Sequence, residues 1–262
     1  MCSNELGVLF KKLDEAVSNI LKKIFNADEY WAPSIISVKE LQKSNYLGTS
    51  FHHVNYISKI KRNYHNINNF KKQSVSDTVD KEFLTNCTQV LNPAVCLHCY
   101  PLLKNKNIEN KDHVYTLVGK VYRDESGNLD NDIRLKEFTM RELVYIGKKN
   151  NTEIAFGKCL EIMNIFGNVL NLDFNLMPAN DIFFDDNIGK KTVFQKALNN
   201  KIELEVFDKK LERNISIAST NRHGTHFSKG YNIQTEKGLA TSMCLGFGYD
   251  RILRILIDQY CE

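Results

Sequence analysis

The chain has 262 residues, enough for one large domain or two small ones. Its 42% hydrophobic and 25% charged residues are typical of a globular protein and exclude long disordered or collagen-like segments. The net charge of +4 is too small for a dedicated nucleic-acid binder. No apolar run reaches the roughly 18 residues that span a bilayer, and the N-terminus lacks a signal-peptide pattern, so we expect a cytoplasmic protein without membrane contact.

The cysteine count is odd, which argues against a disulfide framework and for reduced thiols. We therefore expect thiols that are buried, catalytic or metal-binding, and each one taken alone is more often an inert buried thiol. The seven positions are Cys2, Cys87, Cys96, Cys99, Cys159, Cys244 and Cys261.

Hydrophobic spacing predicts the first elements of the chain. Residues 5–25 place apolar side chains on one helical face and predict an amphipathic helix. The basic stretch 59–72 is either a solvated surface or a docking site for a polyanionic partner. Two strand-like segments, 113–122 and 134–147, flank the turn sequence SGNLDND and predict a long antiparallel hairpin.

The second half of the chain continues this alternation of strands and helices. The pattern predicts a helix over 155–170, strands over 201–207 and 214–220, and a glycine-rich segment that becomes a helix over 245–260. Strands and helices without regular βαβ alternation favour an α+β fold with an antiparallel sheet. No repeat or linker-like composition divides the chain, so we expect one domain over residues 1–262.

The predicted hairpin carries the first candidate site. Arg123 and Glu125 are two residues apart at the end of the first strand, so they share a face. Arg134, Phe138 and Glu142 are spaced by four on the return strand and also share a face. Arginine can pair bidentately with phosphate, and phenylalanine can stack on a purine. Spacing alone leaves open a nucleotide site or a surface hairpin with cross-strand ion pairs.

The segment TSMCLGFGYDRIL at 241–253 carries the second candidate site. Gly246 and Gly248 permit close backbone approach, and Arg251 follows where the helix is predicted to begin. The segment matches neither the P-loop nor the dinucleotide-binding pattern. By itself it is therefore either a phosphate-contacting segment or an ordinary glycine-rich turn.

Together these segments resemble motifs 2 and 3 of class II aminoacyl-tRNA synthetases. Four segments follow the order found in the amino acid:carrier protein ligases, small relatives of the atypical, methanogen-type seryl-tRNA synthetases. They are NPAVCLHCYPLL (92–103), FTMRELVYIG (138–147), SIASTNRHGTHF (216–227) and TSMCLGFGYDR (241–251). Weaker similarity includes Pro33, at the motif 1 dimer-interface element. The resemblance spans roughly residues 25–260 and implies a class II catalytic core, a mixed and mostly antiparallel β-sheet flanked by helices.

The resemblance also implies a zinc site. The family's ligands correspond here to Cys96, Glu142 and Cys244, and three protein ligands leave a fourth position open for the substrate amine. Cys99 follows Cys96 by three residues and competes for the first ligand position, although the sequence PAVC favours Cys96. No second CxxC supports a separate zinc ribbon.

Further site residues follow from the same resemblance. Arg123 is implied as the catalytic contact to the α-phosphate and the substrate carboxylate, Phe138 stacks on adenine, and Arg251 contacts the γ-phosphate. Asn221 and His226 are expected to contact the substrate. The full ATP-binding set is Arg123, Glu125, Arg134, Phe138 and Arg251, and candidate carboxylates for Mg²⁺ are Glu125, Glu203 and Glu205.

The activity implied is ATP-dependent activation of a small amino acid, followed by transfer to the phosphopantetheine thiol of a carrier protein. We expect a homodimer, as in most class II cores. We do not expect a tRNA partner, because the class II core accounts for nearly the whole chain. Two alternatives stay open: a truncated tRNA synthetase or tRNA-modifying enzyme, and a non-catalytic paralogue that binds an amino acid or nucleotide and regulates a partner.

Overall fold

The computed structural model describes residues 4–73, 78–109, 111–124, 133–179 and 200–260. The helices in these ranges are α1 (Asn4–Phe25), α2 (Val38–Lys43), α3 (Tyr46–Thr49), α4 (Tyr64–Gln73), α5 (Lys149–Val169), α6 (His226–Tyr231) and α7 (Tyr249–Tyr260). The strands are β1 (Asp28–Trp31), β2 (Ile35–Ser37), β3 (Tyr56–Ile57), β4 (Gln89–Leu91), β5 (His113–Tyr122), β6 (Glu137–Gly147), β7 (Phe174–Pro178), β8 (Lys201–Asp208), β9 (Arg213–Gly224), β10 (Gln234–Thr235), β11 (Gly238–Leu239) and β12 (Thr241–Gly248). Short 3-10 turns cover Val95–His98 and Tyr100–Leu103.

Seven of the described strands form one sheet in the order β1-β5-β6-β12-β9-β8-β7. Strand β1 runs parallel to β5, and the other neighbouring pairs are antiparallel. The predicted hairpin is confirmed as β5 and β6, which pair from His113 opposite Ile146 to Tyr122 opposite Glu137. The sheet is therefore mixed and mostly antiparallel, as expected.

Several element boundaries differ from the sequence prediction, including β9, which covers Arg213–Gly224 instead of 214–220. Strand β6 begins at Glu137 instead of residue 134. Helix α5 begins at Lys149 instead of residue 155, and the pattern did not predict this first part because it is polar and shows no apolar period. The glycine-rich segment is not a turn but the central strand β12, paired with β6 on one side and β9 on the other. A strand covered on both faces has no polar alternation, which is why periodicity did not reveal it.

Helices α1, α5 and α7 cover one face of the large sheet. Their apolar sides bury large side chains such as Leu21, Phe156 and Ile252, each about 2% exposed or less. Burial of each such side chain contributes roughly 1.5–3 kcal/mol. On the other face, the 3-10 turns, α6 and the small sheet β2-β4-β3 enclose a second apolar cluster. That second cluster covers only part of the face and leaves space for a cavity.

One buried charge lies on the helical side of the sheet. Arg141 on β6 is 1% exposed, and its guanidinium donates to both carboxylate oxygens of Asp14 at 2.6 and 2.8 Å. It also contacts Thr116 Oγ1 at 3.2 Å and pairs with Glu29 at 2.9 Å. Since a buried charge is costly without its partners, this cluster fastens α1 and β1 to the middle of the sheet.

The basic stretch is exposed where it forms α4 and the turn before it. Its five basic side chains lie at the surface: Lys59, Lys61, Arg62, Lys71 and Lys72. Among the described helices, none is long and apolar enough to cross a bilayer.

Candidate active site

A cavity of about 660 Å³ opens on the sheet face opposite α1, α5 and α7. Strands β6, β9 and β12 contribute to its lining, together with residues from the 44–53 segment and the start of α7. Strand alternation turns Phe138, Met140 and Glu142 toward this cavity, whereas Arg141 between them faces the helices. The volume is in the range of small-molecule sites.

Arginines give part of the cavity wall a positive charge. Arg123 follows β5, its Nε donates to the Pro93 carbonyl at 3.0 Å, and its guanidinium lies 5.4 Å from the centroid of the Phe138 ring. Arg251, in the first turn of α7, donates to the carbonyls of Ile133 at 3.1 Å and Ser216 at 2.8 Å. Backbone carbonyls thus hold both guanidinium groups at the wall, where they favour an anionic ligand.

The predicted nucleotide-binding residues lie around this one cavity wherever the structure describes them. Arg123, Arg134, Phe138 and Arg251 all line it. Glu125 lies outside the described residues. Of the other two carboxylates considered for Mg²⁺, Glu203 lines the cavity and pairs with Lys201 at 2.8 Å. Glu205 is not a lining residue, and burial raises its pKa.

Two thiols and a carboxylate meet at another part of the wall. Cys96 comes from the first 3-10 turn, Glu142 from β6 and Cys244 from β12, and all three are buried. The Cys96 thiol hydrogen-bonds to the Cys244 sulfur, and the Cys96 backbone N–H donates to Glu142 Oε2 at 3.2 Å. The sheet order therefore brings the three predicted metal ligands together from distant parts of the chain.

The electrostatics of this cluster concentrate negative charge on one sulfur. The hydrogen bond from Cys96 lowers the pKa of Cys244 well below its ordinary value, and His223 and Asn221 act in the same direction. The same bond, together with burial, raises the pKa of Cys96. Burial raises the pKa of Glu142 to about 7, and the nearby Cys244 contributes to this rise.

The donor set is of the kind that zinc prefers, since thiolates and a carboxylate are common zinc ligands. Within the described ranges, however, no group of three or more His, Cys, Asp or Glu side chains already has metal-binding geometry. The donor types fit zinc, but metal–sulfur bonds would have to replace the present Cys96–Cys244 hydrogen bond. Cys99 is also buried but does not line the cavity, so the geometry favours Cys96 as the first ligand.

The two residues predicted to contact substrate have different surroundings. Asn221 lines the cavity, and its Nδ2 lies 3.5 Å from Cys244 Sγ. His226 also lines the cavity, but its Nε2 is bonded to the Ser44 carbonyl at 2.9 Å, which ties α6 to the end of α2. Sequence reasoning passed over His223, whose Nε2 lies 3.4 Å from Cys244 Sγ. Its position two residues after Asn221 was the available signal, because alternate residues of a strand share a face.

Comparison with solved structures identifies the fold. The chain superposes on the M. kandleri seryl-tRNA synthetase, solved in complex with A. aeolicus tRNASec, with a TM-score of 0.82 and 22% identity over 97% of this chain and 52% of that one. It also superposes on a Cryptosporidium parvum prolyl-tRNA synthetase bound to halofuginone and AMPPNP, with a TM-score of 0.66 and 14% identity over 94% of this chain and 45% of that one. The protein has the catalytic fold of the class II aminoacyl-tRNA synthetases.

Sequence comparison relates the chain to two groups of ligases. A type-2 serine–tRNA ligase of Methanocaldococcus jannaschii is 25% identical over 267 residues, 97% of this chain and 51% of the relative. An amino acid–[acyl-carrier-protein] ligase of Bradyrhizobium diazoefficiens is 27% identical over 223 residues, 84% of this chain and 68% of the relative. No protein-family model matches the chain. The chain is related to both groups, as the sequence motifs indicated.

The extent of these matches bears on the expected partners. The chain spans about half the length of the type-2 serine–tRNA ligases that it matches. One similar structure is itself a tRNA complex. The relatives therefore do not support our expectation that the protein has no tRNA partner.

Proposed function

We propose that the protein activates a small amino acid with ATP and transfers the aminoacyl group to the phosphopantetheine thiol of a carrier protein. The observation that carries this proposal is that one cavity on a class II sheet is lined by arginines and also by two thiols and a carboxylate. Relation to a carrier-protein ligase over 84% of the chain supports the choice of acceptor.

In the first step, an oxygen of the amino acid carboxylate attacks the α-phosphorus of ATP. The new O–P bond forms as the bond to the β-phosphate bridge breaks, giving aminoacyl-adenylate and pyrophosphate. Arg123 aligns the carboxylate and neutralises the α-phosphate, while Arg251 and Arg134 hold the outer phosphates and Phe138 stacks on adenine. Catalysis then rests on alignment and charge neutralisation. Mg²⁺ supplies further phosphate neutralisation when bound, with Glu203 as the candidate carboxylate.

The thiol wall would select the amino group. Cys96, Glu142 and Cys244 would hold zinc, which supplies a Lewis-acidic position for a free α-amine. In the second step, the carrier thiol loses its proton to solvent and its sulfur attacks the adenylate carbonyl. A C–S bond forms, the C–O bond to AMP breaks, and AMP leaves.

A transfer assay tests the acceptor. We first screen all amino acids by ATP–pyrophosphate exchange and then offer the labelled substrate to a phosphopantetheinylated acyl carrier protein. We expect the label on this holo carrier and none on the apo carrier, which differs only by the missing thiol arm. We also expect no charging of total tRNA.

The same assay decides between the candidates. Charging of tRNA without labelling of the holo carrier would contradict the proposal and favour a truncated synthetase, which relation to the type-2 serine–tRNA ligases makes the second candidate. No exchange with any amino acid in zinc-replete protein would favour a non-catalytic binding protein.

We also propose that two copies of the chain pair along β1. This strand lies at the end of the large sheet, its four residues are exposed, and Trp31 is 80% exposed. An exposed edge strand with a large apolar side chain is a typical place for pairing with another chain. Pro33, at the motif 1 position by resemblance, follows two residues later.

Sedimentation velocity checks this assembly. We expect a dimer for the unaltered protein and a shift toward monomer for Trp31→Lys, because a charge at the contact is costly to bury. Val169→Lys is the matched control, since Val169 is 76% exposed on α5. A monomeric unaltered protein at micromolar concentration would contradict the pairing.

A further inference from the structure

A chain of hydrogen-bonded polar groups leads from the interior to the Cys244 sulfur. His223 Nδ1 lies 3.0 Å from the Tyr100 hydroxyl and 3.4 Å from Ser242 Oγ, and its Nε2 lies 3.4 Å from Cys244 Sγ. Tyr100 is fully buried, and Ser242 is 2% exposed. The imidazole thus bridges an interior hydroxyl pair and the sulfur on the cavity wall.

The hydrogen-bond network assigns the tautomer of His223. Two hydroxyl groups lie beside Nδ1. The Tyr100 hydroxyl donates to Ser242 Oγ at 3.2 Å, which leaves the Ser242 hydroxyl free to donate to a ring nitrogen that carries a lone pair. With Nδ1 as the acceptor, the ring N–H that faces Cys244 is the one on Nε2. That N–H points to Cys244 Sγ, which also lies 3.5 Å from the amide Nδ2 of Asn221. The sulfur therefore has two N–H donors.

The backbone holds His223 in this place through a β-bulge. Met243 pairs with Arg222 and Ser242 pairs with Gly224, so His223 is the extra residue on β9. Gly224 has a φ of +55°, a conformation that glycine adopts without strain. The preceding residue, Arg222, lies 3.5 Å from the Phe156 ring centroid and pairs with Glu153 at 2.9 Å. Bulges commonly re-aim side chains beside functional sites.

We propose that His223 is a positioning residue for the zinc ligand Cys244. Its Nε2–H donates to the sulfur, and Tyr100 and Ser242 fix the ring from behind. A sulfur held by two N–H donors has few free directions left, so these donors would fix its orientation for binding zinc. The inference rests on the proposed zinc site and adds the groups that orient it. Partners of this kind typically contribute 10–100-fold to metal affinity.

The test measures zinc affinity by competition with a chromophoric chelator. We expect His223→Ala to bind zinc about 10–100-fold more weakly than the unaltered protein. His223→Gln should recover most of the affinity, because the glutamine amide can place an N–H near the former Nε2. His65→Ala is the matched control for metal affinity, since His65 is exposed on α4 and does not line the cavity.

A second readout is spectroscopic. In Co²⁺-substituted protein, the sulfur-to-metal charge-transfer band is expected to shift in His223→Ala and to return toward its original position in His223→Gln. Tyr100→Phe removes only one hydroxyl and is expected to weaken zinc binding in the same direction, which keeps the test informative if His223→Ala does not fold.

Unchanged zinc affinity and an unchanged charge-transfer band in His223→Ala would overturn the inference while leaving the proposed zinc site intact. An equal loss in His223→Gln and His223→Ala would also overturn it, because the loss would then not depend on the N–H donor. No zinc binding by the unaltered protein would overturn both the inference and the zinc site.

Discussion

Arg123→Ala and Arg251→Ala are each expected to lower amino acid-dependent ATP–pyrophosphate exchange by about 10²–10³-fold, the loss typical when one preorganised charge-stabilising group is removed. Both guanidinium groups are held at the cavity wall by backbone carbonyls, so they are in place before ATP binds. Since Arg123 is assigned to the reacting α-phosphate, its loss should appear mainly in kcat. Arg251 is assigned to the γ-phosphate, so its loss should also raise the KM for ATP.

Two further variants separate charge from geometry. The lysine variants, Arg123→Lys and Arg251→Lys, keep the charge but lose the planar fork, so we expect intermediate activity. Arg222→Ala is the control, because Arg222 lines the same cavity but stacks on Phe156 and pairs with Glu153. We expect its exchange rate to stay within roughly twofold of the unaltered protein. Full exchange activity in Arg251→Ala would contradict its assigned role.

Loss of the metal should abolish amino acid-dependent ATP–pyrophosphate exchange without abolishing the binding of ATP. Cys244→Ala, or treatment with a strong chelator, is expected to abolish amino acid-dependent exchange while equilibrium dialysis still detects ATP binding. The physical reason is that backbone carbonyls, not the thiols, hold Arg123 and Arg251 at the cavity wall. Exchange should return when zinc is restored to the chelated protein and not to Cys244→Ala.

The chain offers a matched cysteine control for this result. Cys159 is fully buried in the apolar cluster on the helical side of the sheet, so Cys159→Ala is expected to keep its zinc content and exchange activity. Metal analysis of Cys96→Ala and Cys99→Ala then identifies the first ligand, and we expect zinc to be lost only from Cys96→Ala. Full exchange activity in metal-free protein would rule out the zinc assignment.

Local pattern was enough to predict the elements with one exposed and one buried face. The helix α1 is of this kind, because amphipathic spacing reports directly on which face is covered. The hairpin of β5 and β6 is largely buried on both faces, and its β-branched and aromatic composition around a turn sequence predicted it instead. Strand β12 is flanked by β6 and β9 and buried on both faces, so its glycines and apolar residues resembled a turn. Spacing along a chain does not encode such central pairing.

For the candidate site, the sequence predicted several of the residues that take part but not how they come together. Resemblance identified Cys96, Glu142 and Cys244, but only the order of β6 and β12 in the sheet, with the 3-10 turn packed on it, shows why they meet. The position of His223 depends on a one-residue bulge and on the Tyr100 hydroxyl, which is 123 residues away in sequence. Such long-range hydrogen bonds leave no periodic signal in one sequence.

Adjacent residues of β6 place side chains of opposite charge on opposite faces of the sheet. Arg141 pairs with Asp14 among the helices, and Glu142 lies with the thiols on the cavity side. A slip of β6 by one residue against β5 would exchange these faces, since side chains alternate with a period of two. It would place the carboxylate in an apolar interior and the guanidinium beside the thiols, so both would lose their partners. Arg141 and Glu142 together therefore disfavour misaligned pairing of β6 with β5, and they do so whether or not a ligand is bound.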